Sequence, residues 1–195
     1  KPEHVAVVRR AMVGVTLEGT SVRSFAGAGY LSGGKTGTAQ AVTIGQREKY
    51  NASKMEEFQR DHSLYIAFAP AEDPQIALAV VVENSGFGSE HAAPIARRVF
   101  DYYLKDQYPS EEDLVAVRKG QAAAPLGTPR VASQVPLPNG GAYVHATQAA
   151  ADADQGALGA VAVVAAGAGD GGGGVLGGVD GAAGAVFQAL AQGAA

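Results

Sequence analysis

Eight consecutive residues carry most of the chemistry this sequence offers: Gly33-Gly34-Lys35-Thr36-Gly37-Thr38-Ala39-Gln40. They admit two readings. Gly29 to Thr36 matches the phosphate-binding pattern G-x-x-x-x-G-K-[ST] letter for letter, and a nucleotide-binding loop is one alternative. That loop works when a strand precedes it and a helix starts at the lysine, so that helix N–H groups face the phosphates. Here Ser21 to Ala28 is a weak strand, and Gly37, Thr38, Val42, Thr43 and Ile44 are poor helix material. The second reading places Lys-Thr-Gly-Thr on a strand. Alternation then puts the Thr36 and Thr38 hydroxyls on one face, where they can hold a carboxylate. Gly37 lets a ligand approach the backbone closely, and the Lys35 ammonium adds positive field and a hydrogen-bond donor. A main-chain N–H on this strand, that of Thr38, can help stabilise an oxyanion. Taken alone, the tetrapeptide is also an ordinary polar edge strand.

Other chemically capable residues carry less. His62 and His91 could act as bases or ligands, but no second histidine or carboxylate follows at metal spacing, which favours a structural or solvated role. His4 and His145 lie near the ends and give no signal. Glu48, Lys49, Lys54, Glu56, Glu57, Arg60 and Asp61 form a run of mixed sign that reads as a solvated loop. With no cysteine there is no disulfide framework and no thiolate metal site, and no metal or cofactor is expected.

The elements that must position these residues follow from periodicity. Val5, Val8, Met12 and Val15 recur at helical spacing, so a helix is expected from Pro2 to about Leu17. Lys35 to Ile44 suits a strand. Leu64, Ile66 and Phe68, alternating with Tyr65 and Ala67, give a second. Ile76 to Val82 is almost wholly apolar, which predicts a third, covered on both faces. Short or medium links make these an antiparallel meander. Ile95, Ala96, Val99, Phe100, Tyr103 and Leu104 mark one face of a helix from about His91 to Lys105, placed to cover the sheet. Ser110-Glu111-Glu112-Asp113 opens a short helix ending near Lys119. The fold class is therefore α+β: a helix, antiparallel strands and a closing helix.

The chain has 195 residues and a net charge of −4. Residues 146–195 hold 18 Ala and 13 Gly, and their only charges are four aspartates. All the excess negative charge sits in this tail, so the neutral remainder is a poor nucleic-acid surface. The expected organisation is a folded part over 1–107, a Pro/Ala-rich extension over 108–145 and an Ala/Gly-rich, disordered tail over 146–195. From Gln121 onward the scarcity of large apolar residues makes disorder the default. No leader can be read from Lys1, and no run of about 20 apolar residues could span a membrane. The chain is thus expected to carry no anchor of its own.

Lys35-Thr-Gly-Thr-Ala-Gln40 resembles the signature of class B penicillin-binding proteins, the monofunctional DD-transpeptidases of cell-wall synthesis. The resemblance runs wider. Met12-x-Gly14-Val15 with Gly19-Thr20 is similar to the helix and loop that lead into that family's active-site strand. Lys49-Tyr50-Asn51-Ala52, Arg60-Asp61-His62-Ser63-Leu64 and Ala67-Phe68-Ala69-Pro70 resemble the elongation-specific branch, penicillin-binding protein 2. Val81-Val82-Glu83-Asn84-x-Gly86-x-Gly88 and Ala93-Pro94-Ile95-Ala96-Arg97 resemble its last strand and closing helix. The similarity covers about residues 1–107 and implies the C-terminal part of the penicillin-binding, serine β-lactamase-like transpeptidase fold. A DD-carboxypeptidase or β-lactam sensor would share Lys-Thr-Gly, but the Lys49 to Pro70 segment favours the elongation transpeptidase.

By that resemblance Lys35 and Thr38 are catalytic and Thr36, Gly37 and Thr38 bind substrate, with peptidoglycan stem peptides and β-lactams as the ligands. The implied partner is a membrane glycosyltransferase of the elongation machinery, and the implied location is the periplasmic side of the cytoplasmic membrane. The family's nucleophile is the serine of S-x-x-K, helped by S-x-N, and both precede Lys-Thr-Gly. Ser32-Gly-Gly-Lys35 fits the first formally, but its lysine belongs to Lys-Thr-Gly and its two glycines oppose the required helix. No S-x-N occurs. The chain is therefore expected to be a fragment, inactive alone, or a non-catalytic piece.

Overall fold

The computed structural model describes residues 1–43, 51, 55–135 and 161–166. Helix α1 (Pro2–Leu17) and the short α2 (Val22–Phe25) lead into strand β1 (Gly33–Ala39). Strands β2 (His62–Ala69) and β3 (Ile76–Val82) follow, then helix α3 (Ala92–Lys105). Strand β4 (Gln107–Tyr108), helix α4 (Glu111–Arg118), strand β5 (Arg130–Val131) and strand β6 (Val161–Ala166) come next, and single 3-10 turns lie at Glu57–Gln59 and Ala132–Gln134. The main sheet has the order β1-β2-β3-β6, and β4 pairs with β5 in a second small sheet. The first three strands form the antiparallel meander expected from the sequence. Strand β6 departs from it: Val161–Ala166, within the Ala/Gly-rich stretch, pairs parallel to β3. The rest of 146–195 lies outside the described residues, as do Ile44, Lys49, Tyr50, Ala52 and His145.

Strand β2 alternates with period 2. Ser63, Tyr65, Ala67 and Ala69 are buried toward α3, and the opposite face carries Leu64, Ile66 and Phe68. The small residues on the inner face let α3, itself rich in alanine there, approach closely. Ile76, Leu78, Val80 and Val82 of β3 continue that buried face. Its other face, Ala77, Ala79 and Val81, is half-buried, so the coverage expected on both faces is complete on one only. Helix α1 lies across the outer face at its Phe68 end. The Arg9 guanidinium stands 5.8 Å from the Phe68 ring centroid and Nη2 donates to Ala71 O at 2.8 Å. Only Thr16 of α1 is buried, and Val5 and Val8, marked as its apolar face, are exposed.

Helix α3 is buried on nearly every side, because a third layer covers the face turned away from the sheet. That layer is α4 and the segment 121–135, for which the sequence predicts disorder. The two Arg residues of α3 explain the difference. Arg98 forms a two-pronged pair with Asp113 of α4, at 2.6 and 3.0 Å, and its Nη1 donates to Pro94 O and Ala123 O. Asp113 Oδ1 also accepts from the Leu126 N–H. Polar anchoring adds to the few apolar contacts of this layer, Leu114 and Ala132 in the core with Val117 and Val135 against it. Arg97 pairs with Asp101 at 2.8 Å and donates to Ser24 O and Ala26 O, which ties α2 to α3. Tyr30 donates to the same Asp101 carboxylate at 3.0 Å. Burial pushes Asp101 above its ordinary value, with Arg97 opposing the shift.

Candidate active site

Strand β1 sits at one edge of the main sheet. Its first two residues explain their own identity. Gly33 lies opposite Phe68 and Gly34 opposite Ala67, and a Cβ on Gly33 would strike the Phe68 ring. A Cβ on Gly34 would strike the Tyr65 hydroxyl. These glycines therefore make room for aromatic side chains of β2. They are strand residues, and the chain continues as strand through Lys35 to Ala39. No helix starts at Lys35, so no helix N-terminus faces the Gly29 to Thr36 segment. The phosphate-loop alternative is overturned on that ground. Ser32, the formal S-x-x-K serine, precedes β1 and starts no helix: it is buried, and its carbonyl accepts from Thr16 Oγ at 2.7 Å.

Cross-strand partners share a face. Thr36 opposes Tyr65 and Thr38 opposes Ser63, so both threonines lie on one face. Lys35, opposite Ile66, and Gly37, opposite Leu64, lie on the other. Lys35 and Thr38 are exposed, whereas Thr36 and Gly37 are half-buried. Lys35 Nζ donates to Thr36 O at 2.5 Å. The structure thus brings Lys35, Thr36, Gly37 and Thr38 to one edge strand, with two hydroxyls on one face and the Lys35 ammonium drawn to the Thr36 carbonyl.

Several neighbours of this edge have no chemical role assigned from the sequence. The Thr20 and Thr36 hydroxyls are 3.0 Å apart. Ser21 Oγ is 2.9 Å from the Tyr65 hydroxyl, a buried contact that pins the turn after α1 across the edge strand. Burial pushes the Tyr65 phenol up to about 12, against the opposing effect of Ser21, so at neutral pH it keeps its proton. Gly88 packs on the backbone of the strand pair: a Cβ there would strike Leu64 O and lie 2.6 Å from Gly37 O. Ser63 and Ser85 fix that loop, through Ser63 Oγ to Gly86 O at 2.9 Å and Ser85 Oγ to Ser63 Oγ at 2.8 Å. Thr20 and Gly88 carry a sequence signal only through the wider resemblance, as Gly19-Thr20 and Gly86-x-Gly88, and Ser21 lies in none of its motifs.

The histidines have structural surroundings. His62 Nδ1 accepts from the Asn84 N–H at 3.0 Å. Burial lowers His91 below its ordinary value, and its ring packs beside Gly120. Among the described residues no group of three or more His, Cys, Asp or Glu could hold a metal ion. Among them, too, no helix is long and apolar enough to cross a membrane.

Comparison with known proteins places this edge in a family context. Residues 1–101 match the penicillin binding protein transpeptidase domain. Among curated relatives, the peptidoglycan D,D-transpeptidase MrdA of Haemophilus influenzae is 43% identical over 94 residues, 48% of this chain and 14% of that protein. The protein of the same name from Acinetobacter baumannii is 45% identical over 97 residues, 50% of this chain and 14% of its own length. Stage V sporulation protein D of Bacillus subtilis is 37% identical over 107 residues, 52% of this chain and 14% of that protein. The chain therefore spans about one-seventh of the length of these relatives.

Proposed function

The chain belongs to the penicillin-binding protein transpeptidase family, and on that premise we propose that it is the C-terminal part of a serine DD-transpeptidase of the elongation type. The parent protein cross-links peptidoglycan stem peptides through an acyl-enzyme and binds β-lactams. The observation that carries this reading is the exposed edge strand on which Lys35, Thr36, Gly37 and Thr38 lie side by side. Thr36 and Thr38 hold the terminal carboxylate of the donor peptide or of a β-lactam, the face-sharing hydroxyls being suited to a planar anion. Lys35 supplies positive field beside them and a donor for the groups that relay the proton of the nucleophile. The Thr38 N–H donates to the oxyanion that forms as the acyl carbon turns tetrahedral. The serine nucleophile and the S-x-N element are supplied by residues outside this chain.

The same reading puts the parent on the periplasmic side of the cytoplasmic membrane, working with a membrane glycosyltransferase of the elongation machinery. The similarity to two MrdA transpeptidases supports the elongation branch. Labelling with a fluorescent penicillin tests the proposal. The full-length protein is expected to form a covalent adduct that survives denaturation, and the 195-residue chain none. A full-length protein that stays unlabelled refutes the transpeptidase reading, and stable labelling of the 195-residue chain refutes the fragment reading.

A further inference from the structure

The turn between α1 and α2 places one hydroxyl with no evident structural duty against the edge strand. Thr20 is exposed, and its hydroxyl oxygen lies 3.0 Å from Thr36 Oγ. Both of its neighbours are firmly anchored. The Gly19 N–H donates to Gly14 O at 3.0 Å, and a Cβ on Gly19 would lie 2.7 Å from Val15 Cα, so the chain closes tightly onto the end of α1. Ser21 is fully buried, with its N–H on Val15 O at 3.2 Å and its hydroxyl between Val15 O and the Tyr65 phenol. Thr20 is thus held over Thr36 by its neighbours rather than by its own packing.

A hydroxyl has one proton to donate and two lone pairs to accept with, whereas a carboxylate only accepts. When Thr36 donates to a ligand carboxylate, its remaining bond to Thr20 must run the other way, with Thr20 as donor. If Thr36 spent its proton on Thr20, a lone pair would face the anion. We infer that Thr20 is a positioning residue: its hydroxyl donates to Thr36 and so turns the Thr36 proton toward the carboxylate of the bound ligand. This inference rests on the transpeptidase reading. A donor chain ending on an anion is polarised along its length, so the second hydroxyl strengthens the first.

The test uses the full-length protein with Thr20→Val, Thr20→Ala and Thr20→Ser, and two ligands, a penicillin and its methyl ester. Removing one such hydrogen bond is expected to lower the second-order acylation constant for the free acid about threefold to tenfold in the Val and Ala variants. The loss should fall on the non-covalent dissociation constant and leave the acylation step unchanged. The ester, which has no carboxylate charge, should react equally with wild type, Val and Ala variants, and Ser should restore the wild-type value for the acid. Equal losses for acid and ester, or no loss for either, would overturn the inference, as would a Ser variant no better than Val. A wild-type protein that fails to react with the free acid overturns the underlying reading itself, a different outcome from wild-type reactivity without the acid-selective loss.

Discussion

Replacing Asp113 by Ala isolates the polar clasp that holds the third layer onto α3. The carboxylate and the Arg98 guanidinium are 0% and 1% exposed, and they meet through two charge-assisted bonds of 2.6 and 3.0 Å. With Ala at 113, Arg98 keeps its bonds to Pro94 O and Ala123 O but retains a buried charge that has lost its counter-ion. Removing one member of a buried pair costs about 3–5 kcal/mol, far more than the net worth of the pair, because the stranded charge stays desolvated. The Leu126 N–H also loses its acceptor, a term of about 1 kcal/mol contained in that figure. With a urea m-value of about 1–3 kcal/mol/M for a domain of this size, the midpoint should fall by roughly 2 M.

The assay is urea unfolding of the 195-residue chain followed by far-UV circular dichroism. Two further variants test the cause. Glu111→Ala breaks the exposed Arg130–Glu111 contact, whose side chains are 37% and 77% exposed, and should cost less than about 1 kcal/mol. The double replacement Arg98→Met with Asp113→Leu removes both charges and should recover most of the loss. An Asp113→Ala variant within about 1 kcal/mol of Glu111→Ala would refute the reasoning, as would a double variant no more stable than Asp113→Ala.

Further expectations follow from the edge strand and from α3. Gly34→Ala drives a methyl group into the Tyr65 hydroxyl and breaks the Ser21–Tyr65 contact; the same urea assay should show a loss of about 1–3 kcal/mol. His91 has its folded pKa below the ordinary 6.5, chiefly through burial, so the unfolded chain takes up the proton first. Stability should therefore be complete above pH 6.5 and decline as pH falls from there toward the lowered folded value. A His91→Gln variant should lack that segment of the curve, and an unchanged pH profile would refute the assignment. Fluorescent-penicillin labelling and the Thr20 series complete the set.

Where apolar periodicity was strong, the sequence was readable. The bounds of α1 and β3 match the expected ones, and α3 begins one residue later than expected. Strand β1 was expected from Lys35 to Ile44 but runs Gly33–Ala39, because glycines that look like loop residues are accommodating Phe68 and Tyr65. The packing of 121–135 was illegible for a physical reason. Among its anchors are backbone groups, Ala123 O and the Leu126 N–H, met by an ion pair whose members lie 15 residues apart, and single side chains such as Arg130 over the Tyr108 ring. None of these leaves a periodic trace. The site shows the same division. Lys35 to Thr38 stood out as a motif, whereas the pairing of Thr20 with Thr36 depends on a turn geometry that composition does not encode.

The geometry around Gly37 also bears on the direction from which a ligand reaches the strand. The absence of a side chain there lets a ligand approach the backbone closely, and the surroundings limit the side from which it can do so. A Cβ at Gly37 would lie only 3.1 Å from Leu64 Cβ, and the Gly88 backbone already packs against Gly37 N and O. That space is occupied by the protein itself. The opposite face carries the side chains of Thr36 and Thr38, and β1 has no further strand partner among the described residues. Among the described residues the unpaired side of β1 is its edge, where main-chain groups are presented in a row as for an added strand. On the proposed transpeptidase reading, a donor peptide entering this way would meet backbone donors and acceptors first and the threonine hydroxyls beside them, an arrangement suited to fixing the register of an extended chain.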